Sequence, residues 1–163
     1  GGEKAKGEAG DGGVEVVTCV WRAGLAGGQT DHESIMFDVD RATGTLQRGS
    51  TNANWYQRGL RWILNLKISP QAADDLENHP DTGKRIRGEQ LPAVTEINAL
   101  VRRAHLALAP RVPLVGWDVA VTPEGVMLLE ANLSCNLFKG SYDRDRYLRF
   151  VDQHFAEISR RLP

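Results

Sequence analysis

Residues 114–132, LVGWDVAVTPEGVMLLEAN, are the stretch whose reading decides the fold. Two alternating runs, 114–122 and 126–132, flank Pro123-Glu124-Gly125. Alternation on both sides of a short loop containing Pro and Gly is the pattern of a β-hairpin. Proline sets φ at the first turn position, and glycine accepts a left-handed conformation at the last. A three-residue loop places Thr122 opposite Val126, and counting back places Asp118 opposite Glu130. Trp117, Val119, Val121, Met127, Leu129 and Ala131 then share one face, expected to build a core. Asp118, Glu130 and Asn132 share the other, beside Ala120, Val126 and Leu128.

Two carboxylates and an amide oxygen therefore converge on one spot. Adjacent carboxylates repel unless one is protonated or a cation lies between them. Mg²⁺ takes hard oxygen ligands and often bridges one or two carboxylates to phosphates. The Glu130-x-Asn132 pair with Asp118 across the hairpin suits such a half-shell. The spacing is equally that of an ordinary hairpin with one solvated face, and a one-residue slip would separate the pair.

Working outward, residues 92–108 carry Val94, Ile97, Val101, Ala104 and Leu108 at spacings of three and four, a helix that starts near Pro92 and stops at Pro110. A second stripe, Val151, Phe155, Ile158 and Leu162, marks a terminal helix from about Asp143, with Arg160 and Arg161 at its dipole-favoured end. Upstream, residues 14–21, VEVVTCVW, read as a strand closed by Arg22. Residues 33–40, with Ile35, Phe37 and Val39 alternating, read as a second strand, followed by a turn at 41–44 and a short return over 45–48. Residues 49–70 are apolar without a single period, 71–78 suggest a helical turn, and 79–83, HPDTG, a loop. The fold class expected is α+β, helices packed on a mostly antiparallel sheet.

The composition agrees with one globular unit: 163 residues, 41% hydrophobic and 25% charged. Residues 1–13, GGEKAKGEAGDGG, hold no large apolar side chain and read as a disordered Gly-rich tail ahead of a unit spanning 14–163. No apolar run approaches the roughly 20 residues of a spanning helix. Net charge is −1, which disfavours a strongly basic nucleic-acid binder. A strip of Arg58, Arg61, Lys84, Arg85 and Arg87 with Trp55, Tyr56 and Trp62 is the feature that would support such binding. Cys19 and Cys135 make no CxxC spacing, so two reduced thiols and a cytoplasmic setting are expected. The four histidines have no zinc spacing.

Residues 116–132, GWDVAVTPEGVMLLEAN, resemble the metal-binding hairpin of ATP-grasp proteins, with an Asp on one strand and Glu-x-Asn ending the next. The wording is most similar to the sugar-transfer-associated branch. Residues 22–44, RAGLAGGQTDHESIMFDVDRATG, resemble that branch's R-x-G-x-G-G and D-x-x-T-G segments, and His79–Gly83 and Leu91-Pro92 resemble two more.

The resemblance implies a C-terminal ATP-grasp lobe that binds ATP with Mg²⁺ (or Mn²⁺) and joins a carboxylate to an amine or thiol through an acyl phosphate. Asp118, Glu130 and Asn132 match the family's metal ligands, and Arg22 a family arginine placed for phosphate or carboxylate. Asn136 and Lys139 follow the metal strand where phosphate is expected, and Asp31 and His32 stand at substrate positions, His32 replacing the family Asn. Each also has a plain reading, as a strand-end, turn or solvated loop residue. The family's nucleotide lobe should precede residue 14, where only the Gly-rich tail stands, so an incomplete fragment is expected. The expected partners are a nucleotide, a small carboxylate substrate and that missing lobe, with neither membrane nor nucleic acid. A non-catalytic binding module that keeps the fold is the rival reading.

Overall fold

The computed structural model describes residues 13–28, 34–51, 74–133, 135 and 140–161. Asp31, His32, Asn136 and Lys139 lie outside the described residues, as do the tail at 1–12 and residues 52–73, which hold most of the apolar stretch at 49–70. The architecture is α+β. Strands β1 (Cys19–Ala23), β2 (Ile35–Val39), β3 (Leu46–Thr51) and β4 (Asp74–Leu76) form one antiparallel sheet in chain order. Helix α1 (Val94–Leu108) follows, then a separate hairpin of β5 (Gly116–Thr122) and β6 (Gly125–Asn132), then helix α2 (Arg144–Arg161). Among the described residues no helix is long and apolar enough to cross a membrane.

Local chemistry fixes the element ends. Asp40 accepts from the Ala42 and Thr43 amides, and Gly44 (φ 78°) closes the turn between β2 and β3. A side chain at Gly44 would meet Val94 at 3.0 Å, so this turn packs tightly on the start of α1. α2 begins as expected: Asp143 Oδ1 accepts from the Arg146 amide at 2.9 Å, an N-cap.

The core lies on one face of the four-stranded sheet. Ala23, Ile35, Phe37, Val39 and Leu46 join Ile86 there, with Trp21 and Leu91 packed against them. Phe37 is fully buried, its ring centroid 5.8 Å from that of Trp21. Gly49, directly across from Phe37, makes room for the ring, because a Cβ there would approach it to 2.6 Å.

Four expectations are corrected. β1 starts at Cys19, not at residue 14, and Arg22 lies inside it, not at its close. The Asp74–Leu76 segment is a strand paired to β3 where a helical turn was expected, since β3 offers it an open ladder edge. Thr122 stands opposite Gly125, not Val126, so the hairpin loop is two residues long. The expected hairpin core face is not buried: Val121, Met127 and Leu129 are all exposed. The shorter loop reverses the faces near the tip, pairing Val119 with Leu128 and Val121 with Val126.

Candidate functional site

Asp118 is nonetheless opposite Glu130. The register slips by one residue between Asp118 and Val119, so that Leu129 is the extra residue of a β-bulge in β6. The bulge cancels the error introduced at the loop. Beyond it Asp118 faces Glu130 and Gly116 faces Asn132, which puts the two carboxylates and the amide on one face. Directly opposed residues on one face have Cβ atoms about 4.5–5.5 Å apart, close enough for two carboxylates to share a cation. Gly116 matters here: a Cβ would meet Cys135 Sγ at 3.3 Å and Asn132 Cβ at 3.6 Å.

The two sheets meet at this face. Arg22 Nη2 on β1 lies 3.6 Å from Asp118 Oδ1, both side chains partly exposed. Arg22 pairs with Met36, and Val20 with Asp38, so Arg22 and Asp38 share the sheet face opposite the Trp21, Phe37 and Ile35 core. The segment after β6 returns to that face. Ser141 donates its backbone N–H to Asp38 Oδ1 at 2.7 Å and its hydroxyl to Asp38 Oδ2. Gly140 allows the approach, since a side chain there would collide with Thr18 and meet Val20 at 3.1 Å. Sequence reasoning missed Asp38 and Ser141. The only available signal was Asp38 at an outward position of an otherwise apolar strand.

The segments that resemble one family also touch each other. His79 Nε2 lies 2.7 Å from the Gly24 carbonyl, so that nitrogen carries the proton and donates. Asp81 Oδ2 accepts from the Ala26 amide at 2.6 Å. The HPDTG turn therefore holds the glycine loop just beyond Arg22. The Gly44 carbonyl accepts from Leu91 N–H at 2.8 Å, which ties the D-x-x-T-G turn to Leu91-Pro92.

Among the described residues no group of three or more His, Cys, Asp or Glu side chains could hold a metal ion. The candidate site is a pair of carboxylates plus an amide, with a guanidinium beside it. Both cysteines are free thiols. Burial, assisted by the Asp38 charge, pushes the Cys19 thiol up to about 11. Within the suggested nucleic-acid strip, Arg85 and Arg87 both pair with Glu77, at 3.7 and 2.6 Å, and its aromatic members lie outside the described residues.

Residues 63–139 match the family model described as sugar-transfer associated ATP-grasp. The match contains the HPDTG turn, α1 and the whole β5–β6 hairpin, so this part of the chain is similar to an ATP-grasp domain; Arg22 lies upstream of it. No curated protein and no solved structure matches the chain.

Proposed function

We propose that the protein binds ATP with Mg²⁺ at the Asp118–Glu130–Asn132 face and serves the ATP-dependent joining of a carboxylate to an amine or thiol. The observation that carries this reading is the bulge that restores Asp118 to Glu130 within a hairpin matched by the ATP-grasp family model. A hairpin needs no bulge at that position to close. The three oxygen donors fit a hard divalent ion, and the ion, when bound, neutralises phosphate charge and orients the terminal phosphoryl group.

This chain's own residues do the rest by position. Asp118 and Glu130, on separate strands, hold the ion from two sides, and Asn132 adds a neutral oxygen without further negative charge. Arg22 is the cation that already compensates Asp118. With phosphate present its planar fork can turn from the carboxylate to a phosphate or to the substrate carboxylate. The overall change transfers the γ-phosphoryl group to a carboxylate oxygen, and the incoming amine then displaces phosphate from the acyl carbon. Asn136 and Lys139, which follow β6 in the sequence, and Asp31 and His32, which precede β2, are proposed as phosphate and substrate contacts.

The test is calorimetry of Mg²⁺-ATP against the chain and against the Asp118→Asn, Glu130→Gln double variant. Saturable, Mg²⁺-dependent binding that the double variant loses supports the reading. Binding unchanged by the double substitution overturns the site.

A further inference from the structure

A groove of about 630 Å³ opens on the sheet face that carries Arg22 and Asp38. Its walls include Asp38, Arg48, Asp75, Arg87 and Ser141. Two of these side chains arrive there by register breaks. Between β2 and β3 the pairing jumps from Phe37–Gly49 to Val39–Leu46, which inserts an extra residue beside Asp38 and turns the Gln47-Arg48 segment into the groove. Between β3 and β4 it jumps from Gly49–Leu76 to Ser50–Asp74, which leaves Asp75 as the unpaired bulge residue. Asp75 sits at φ 78°, left-handed for a residue with a side chain, a conformation that persists where its surroundings hold it. Bulges re-aim side chains, and here two of them deliver opposite charges to one groove.

The remaining charges are largely engaged. Asp38 is buried and bonded to Ser141, and Arg87 is paired with Glu77 at 2.6 Å. Arg48 and Asp75 are exposed, and among the described residues neither makes an ion pair. A guanidinium and a carboxylate facing one groove are complementary to a molecule that carries a carboxylate and an ammonium group. One wall of the groove is Ser141, which is bonded to Asp38.

We propose that this groove binds the amine-bearing substrate as a zwitterion, its carboxylate on Arg48 and its ammonium group at Asp75. The identity of that molecule as the amine partner rests on the function proposed above; the binding itself does not. An amino acid seated here lies on the same sheet face as Arg22, and Asp75 is an acceptor for the proton that must leave the ammonium before the amine can attack.

The experiment is an NMR titration of the full ¹⁵N-labelled chain, without nucleotide, using L-alanine, N-acetyl-L-alanine and L-alaninamide. Saturable shifts at Arg48, Asp75 and Ser141 are expected with L-alanine. The two blocked compounds should bind about tenfold more weakly, and Arg48→Ala or Asp75→Asn should raise the alanine Kd about tenfold. Both substitutions are at exposed positions, and retained amide dispersion confirms that the variants fold. No saturable shift, shifts confined to another surface, or equal binding of N-acetyl-L-alanine overturns the proposal. The Asp118→Asn, Glu130→Gln variant should keep alanine binding while losing Mg²⁺-ATP binding, so failure of either assignment is visible separately.

Discussion

Arg22 on the edge strand of one sheet reaches to 3.6 Å from Asp118 on the separate hairpin. A salt bridge this exposed contributes at most about 1 kcal/mol, so its main effect is to neutralise a carboxylate that already faces Glu130. Arg22→Ala should therefore shift the unfolding free energy by less than about 1 kcal/mol. On the function proposed above, it should nevertheless weaken Mg²⁺-ATP binding about tenfold or more, the loss of one charge-assisted phosphate contact. Urea denaturation and calorimetry on the same variant separate the two. A large stability loss with unchanged nucleotide affinity would assign Arg22 to structure alone.

Asp38 and Ser141 tether the segment after β6 to the middle of the four-stranded sheet. Ser141→Ala removes the hydroxyl bond but leaves the backbone one, and should cost about 1–2 kcal/mol. Asp38→Ala removes both bonds, each made to a charged carboxylate, and should cost about 2–3 kcal/mol. Chemical denaturation checks the order, and hydrogen exchange at 140–143 should accelerate in both variants.

Gly49 faces the ring of fully buried Phe37. Gly49→Ala puts a methyl group within 2.6 Å of that ring, which must move in a packed core. Overpacking of this kind costs about 1–3 kcal/mol. Adding Phe37→Leu should recover part of the loss, measured as Tm; additive losses would show that the clash is not with Phe37.

Asp40 is held below its ordinary value of 3.8, chiefly by the Thr43 amide that donates to it, then by the Thr43 hydroxyl and the Ala42 amide. Its folded-state affinity for the proton is lower than in the unfolded chain. The stability this confers is present above pH 3.8 and is lost as pH falls through the folded-state value. Asp40→Asn should flatten the acid limb of a Tm-against-pH curve below pH 3.8. An unchanged acid limb would remove Asp40 from the list of acid-sensitive groups.

Burial pushes the Cys19 thiol to about 11, and raises Cys135 by burial as well. The thiolate is the reactive form, so at pH 8 iodoacetamide should label Cys19 slowly in the folded chain and rapidly in urea. Mass spectrometry of tryptic peptides gives both rates. Fast labelling of folded Cys19 would contradict its packing against the core.

The amino-acid sequence by itself determined the hairpin, the two amphipathic helices and the strand around Ile35, Phe37 and Val39. Each of these is encoded in period, turn residues or caps within a short window, where neighbouring residues carry the information. The family resemblance was legible for the same reason, since its motifs are contiguous words. Only the tertiary structure decided where the core lies, because burial depends on which faces meet, and the exposed Met127 and Leu129 have the same local pattern as the buried Phe37. It also decided the bulges. A single inserted residue leaves no mark in composition, yet it kept Asp118 with Glu130 despite a shorter loop, and it turned Arg48 and Asp75 into one groove. Asp38 and Ser141 are 103 positions apart, and no pattern along the chain could pair them. Ladder register and long-range hydrogen bonding are settled between strands, not along them, and there this protein assembles its site.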